Sequence, residues 1–97
     1  MSISDAIRLK PAARQLKDGT PYWLRRPTAL DVVDAIEFAK ANEAKMHAWL
    51  CWRHLMDHED GILKPVFDTL DQALAADAAL VFTVGTEADK LYSEGRD

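Results

Sequence analysis

The chain reads as a mainly α (α+β) protein, a small helical domain of three to four helices with an N-terminal β-hairpin. Three observations predict this class. The turn pair Asp18-Gly19 lies between two short extended runs, helix starts are marked by Thr28, Thr69 and Asp77, and apolar residues recur at helical spacing after each start. With 97 residues, 48% of them apolar and 29% charged, one core and a single domain spanning residues 1–97 are expected.

Residues 1–11 place Ile3, Ile7 and Leu9 in an arm or weak edge strand that ends at Lys10-Pro11. Residues 12–26 form the hairpin around Asp18-Gly19. A two-stranded hairpin is marginal by itself, so Leu16, Tyr22 and Leu24 are expected to dock it onto the helices. Residues 28–92 are the helical part. Thr28 is a good N-cap and Asp31 stands at the capping-box position, which starts the first helix at Ala29. Ala29, Val32, Val33, Ile36 and Ala39 then share the face expected to be buried, while Phe38 falls on the charged side.

After a break at residues 41–42, a second helix is expected over residues 43–58, closed by Asp60-Gly61. It turns Ala44, Ala48, Trp49, Trp52, Leu55 and Met56 to the core and leaves Met46 and Leu50 on the far side. Pro65 keeps residues 62–67 extended, and Thr69 with Gln72 in the box position begins a brief third helix. Asp77 caps the last helix, with Leu80, Val81, Val84, Ala88 and Leu91 on one face. Gly85 in its interior costs about 1 kcal/mol relative to alanine.

The net charge of −4 is uneven: residues 1–26 carry +4 and the remainder −8. A basic hairpin beside acidic helices explains this better than a nucleic-acid arm, because DNA-binding domains carry a net basic face. The longest apolar stretch, residues 78–84, is far short of the roughly 20 residues that span a bilayer. The single cysteine, Cys51, excludes an intrachain disulfide. The opening residues lack a secretory signal pattern, so a reducing cytoplasm is the expected compartment.

The sharpest candidate for chemistry is the row His47, Cys51, His54 and His58, spaced to lie along one helix face. Side chains spread over three turns of one helix cannot surround a tetrahedral ion, so no metal is assigned. His54 and His58 are the weak candidate pair. Cys51 has no feature that lowers a thiol pKa, and the four isolated glycines make no phosphate loop. No catalytic residue and no cofactor follow, and a non-enzymatic role is expected. The apolar residues on otherwise charged faces, Phe38, Met46, Leu50 and Phe82, are the candidate partner-binding or self-association contacts.

The order of parts carries a resemblance: Arg25-Arg26-Pro27-Thr28-Ala29-Leu30-Asp31, a long helical region, Asp60-Gly61 leading to Val66-Phe67-Asp68, and a helical tail ending near Leu91. Over most of residues 14–92 it resembles the small tail assembly chaperones of long-tailed bacteriophages. The resemblance implies a holdase without ATP that binds the tape measure protein in the host cytoplasm and is absent from the finished virion. It also implies a longer, frameshifted form that engages the tail tube protein. Two alternatives stand beside it. One is another small phage morphogenesis factor, for head-tail joining or tail completion. The other is a small nucleic-acid-binding regulator with Arg8, Arg14, Lys17, Arg25 and Arg26 on phosphates.

Overall fold

The computed structural model describes residues 10–93, so the arm expected over residues 1–11 lies almost wholly outside the described residues. The chain runs β1 (Ala12–Gln15), β2 (Pro21–Leu24), α1 (Ala29–Ala39), α2 (Glu43–His54), β3 (Leu55–Glu59), β4 (Ile62–Pro65), α3 (Leu70–Leu74) and α4 (Ala78–Ser93). The expected hairpin and helices are present. They are joined by a second hairpin, so the sheet is a four-stranded antiparallel meander in the order β1-β2-β3-β4.

Both hairpins turn on an Asp-Gly pair. In the first, Gly19 has φ +90° and the Asp18 carboxylate accepts from the Thr20 N–H at 2.9 Å. In the second, Asp60 and Gly61 both have positive φ, +54° and +78°, and Glu59 stands opposite Ile62. That is the primed turn whose twist suits a two-residue hairpin loop. The helix expected over residues 43–58 therefore stops at His54, and Asp60-Gly61 is a strand turn rather than a helix stop. Leu24 pairs with Leu55, which gives β2 its partner on the inner side of the meander.

The caps form where the sequence places them. Thr28 Oγ1 accepts from Asp31 N–H and the Asp31 carboxylate accepts from Thr28 N–H, a complete capping box. Asn42 caps α2 through Lys45 N–H, and Asp77 accepts from Leu80 N–H at the start of α4. At α3, Thr69 accepts from Gln72 N–H as expected. Gln72 reaches one residue further back, to the N–H of Asp68. Lys40 and Ala41 take φ of +44° and +68°, which reverses the chain between α1 and α2 in two residues.

α2 is the central helix. His47, Ala48, Trp49, Leu50, Cys51 and His54 are all buried, which is burial nearly all round, and α1, α3 and α4 each pack against it. This corrects the amphipathic reading of α2. Leu50 is 1% exposed and belongs to the core, because α1 and α4 cover the side that the helical wheel leaves open. The sheet closes another side of the core with Ala12, Tyr22, Leu24 and Leu55, with Leu16 partly buried against it.

Gly85, counted as a cost from sequence, sits where α4 crosses α2. A Cβ built on it would lie 2.8 Å from His47 Cβ, inside any real carbon–carbon contact. Gly85→Ala is therefore expected to lower stability by about 1–3 kcal/mol, opposite in sign to the usual gain of about 1 kcal/mol from alanine in a helix. Urea unfolding of the variant checks this, and because His47→Ala keeps the Cβ that is in the way, adding that change should recover only part of the loss.

Candidate functional site

The site is built on α1, and α1 is oriented by Asp31. The Asp31 carboxylate, 1% exposed, takes a two-pronged contact from Arg25, with Nη1 at 3.0 Å and Nη2 at 3.2 Å. The Arg53 guanidinium adds a 3.4 Å contact, and Arg53 itself lies over the rings of Trp49 and Trp52. Arg25 also closes the end of α2. Its Nε–H donates to the Arg53 carbonyl at 3.0 Å and its backbone N–H to the His54 carbonyl at 2.8 Å, two acceptors that the helix terminus leaves open.

With Asp31, Ala35 and Ala39 turned inward, α1 makes its close contact through small side chains. Its large aliphatic residues face solvent: Leu30 is 63% exposed, Val33 51% and Ile36 66%. This corrects the expected burial of Val33 and Ile36. The capping carboxylate must reach two arginines on the α2 side, and that requirement rotates the helix. Leu30, Val33 and Ile36 lie three residues apart, so they form one continuous stripe.

A groove flanks the stripe on each side. One is lined by Leu30, Arg25, Trp52, Arg53, Met56 and Phe67 among others. The other, of about 290 Å³, is lined by Val32 and Ile36 with Met46, Leu50, Asp89 and Tyr92. Of the expected contact residues, Met46 and Leu50 therefore meet at the α1 stripe, Leu50 as buried lining and Met46 half-buried. Phe38 is half-buried against the core and lines neither groove. Phe82, 42% exposed, stands apart in a shallow groove with Ala44, Ala48 and Leu74, its ring 4.8 Å from His47. Leu30, Val33 and Ile36 are the surface residues that helical periodicity missed. The available signal was Asp31 at the same spacing as Ala35 and Ala39, a small-residue seam with a carboxylate that two arginines could claim.

The His/Cys row is not a row in space. His58 is on β3, exposed, with its ring edge-on to Trp23 at 4.2 Å, whereas His54 is wholly buried at the end of α2. Among the described residues no three His, Cys, Asp or Glu side chains gather as a metal site. His54 Nδ1–H donates to the Arg25 carbonyl at 2.7 Å, so Nε2 is the acceptor for the Tyr92 hydroxyl. Burial pushes the Tyr92 phenol up. Cys51 is buried, its Sγ–H directed to the Val81 carbonyl at 3.3 Å, and burial pushes its thiol up to about 12, away from nucleophile chemistry.

Of the hairpin arginines proposed for phosphates, Arg25 is bound to Asp31 and Arg14 lies 3.5 Å from Glu87. Arg8 lies outside the described residues. No helix among the described residues is long and apolar enough to cross a membrane. Comparison of the chain with protein-family models, with curated proteins and with solved structures gives no match.

Burial lowers the His54 pKa from 6.5 to about 4. The unfolded chain therefore binds a proton between these values while the folded chain does not. Stability should be level above pH 6.5 and fall as pH drops toward 4, by on the order of 3 kcal/mol. Asp31 acts in a lower window. Burial raises its carboxyl, but the Arg25 hydrogen bond, the Thr28 N–H and the Arg25 charge outweigh this and hold it at about 2, so its contribution is lost between 3.8 and 2. Urea midpoints at pH 7.5, 6 and 4.5 check the upper window, and His54→Gln should flatten it.

Proposed function

We propose that the chain is a non-catalytic binding protein of the tail assembly chaperone class, holding an amphipathic segment of a phage tape measure protein in the host cytoplasm. The observation that carries this reading is α1, whose three large aliphatic side chains point outward between two grooves. Contiguous exposed apolar side chains are a mark of interaction surfaces, and an amphipathic helix laid along the stripe would hide the apolar faces of both. The order of parts from Arg25-Arg26-Pro27-Thr28 to the helical tail supports the same assignment by resemblance.

On this reading many weak contacts along a long helical rod suffice, because each bound copy raises the local concentration for contacts further along the rod. No ATP and no reacting group are required. The chain leaves as tail tube subunits cover the rod, and a longer frameshifted form would bring those subunits in.

Coexpression tests the proposal. A tape measure protein from the same genome should be soluble and co-purify with the full chain, and it should precipitate when expressed alone. Mass spectrometry of purified virions should find the chain absent. Its presence at the abundance of a tail component would contradict the chaperone reading in favour of a joining or completion protein.

A further inference from the structure

We propose that the outward face of α1 takes a partner helix of one particular chemistry: an apolar stripe bordered by lysine and arginine side chains. The inference rests on the reading of the chain as a helix-holding protein and deepens it by naming what the face selects.

The apolar part of the site sets the partner's shape. Leu30, Val33 and Ile36 make a ridge about two turns long, and the groove of Val32, Ile36, Met46 and Leu50 runs beside it. A ridge with a parallel groove fits a helix whose anchors recur every three to four residues.

Charge sets the partner's flanks. α1 contains no Lys or Arg, and Asp34 and Glu37 border its stripe on one side. Across the groove stands Asp89. The nearby Lys90 is held 3.0 Å from Glu87, the Arg25 and Arg53 of the other groove are both turned onto Asp31 with Asp68 beside them, and Lys40 stands at the C-terminal end of α1. A helix seated on the stripe would therefore meet carboxylates along both borders, where basic side chains are favoured and acidic ones repelled. The same border argues against a second copy of this chain. Two α1 stripes face to face would bring Asp34 and Glu37 of each against those of the other, with no cation within either helix to offset them.

The test uses the full chain and two synthetic helices of about 21 residues with the same leucine stripe, one bordered by lysine and one by glutamate. Titration calorimetry should show the lysine-bordered peptide binding at least about tenfold more tightly, with the preference shrinking as salt rises. Val33→Ser with Ile36→Ser should weaken that binding about tenfold or more with unchanged helical circular dichroism. Glu37→Lys should narrow the preference while sparing the stripe.

Equal binding of the two peptides would overturn the charge assignment and leave the chaperone reading standing. Binding of neither would overturn both. A free chain that is dimeric, and made monomeric by Val33→Ser with Ile36→Ser, would show a second copy on the face. Carbene footprinting that finds Leu30, Val33 and Ile36 already shielded in a monomer would show the chain covering its own stripe. Either result would overturn the proposal.

Discussion

Arg25 ties three chain ends together with one side chain and one backbone N–H. It follows the last residue of β2, its N–H groups satisfy the final carbonyls of α2, and its guanidinium grips the carboxylate that caps α1. Sheet, first helix and central helix are thus fixed relative to one another at a single point. A buried ion pair is not in itself a large source of stability, since desolvation offsets the attraction. Removing one partner of a fully buried pair costs about 3–5 kcal/mol; here the Arg25 side chain is 34% exposed and Arg53 stays beside Asp31, so the loss lies at the lower end of that range. The pair therefore acts chiefly by specifying an arrangement. Rotating α1 to bury Leu30, Val33 and Ile36 would expose Asp31 and strand Arg25, and the apolar gain would have to exceed that loss.

The outward stripe follows from this constraint. Full burial of an aliphatic side chain contributes about 1.5–3 kcal/mol, so three residues left more than half exposed represent stabilisation the isolated domain forgoes. In the proposed function a partner helix supplies the missing cover, and Asp34, Glu37 and Asp89 beside the stripe are the groups proposed to select it. The buried histidine belongs to the same knot. His54 donates to the Arg25 carbonyl and accepts from Tyr92, which joins the end of α4 to the junction of β2 and α2. Acid weakens the fold at this junction first.

How much of this the sequence discloses depends on how local each feature is. The Asp18-Gly19 hairpin, the caps at Thr28, Thr69 and Asp77 and the start of α1 at Ala29 are decided within a few residues, and each is where the pattern puts it. The β3–β4 hairpin was misread because Leu55 and Met56 continue the apolar pattern of α2. The deciding facts are the primed turn at Asp60-Gly61 and the pairing of Leu55 with Leu24, thirty-one residues away. Leu50 and the α1 stripe were misplaced for one reason: the helical wheel assumes a single buried side, whereas α2 is enclosed by three helices and α1 is turned by an ion pair. Gly85 shows the reverse case, an unfavourable helix residue whose reason, the close approach of His47, exists only in the packed molecule.

The most direct test of this account is a double-mutant cycle on Arg25→Met and Asp31→Asn, read as unfolding free energy at pH 7. If the pair is the point on which the arrangement depends, each single change costs about 3 kcal/mol and the two together little more than one, a coupling of about 2–3 kcal/mol. Losses that simply add, within about 0.5 kcal/mol, would show that the two residues act independently and that something else holds α1 in its orientation.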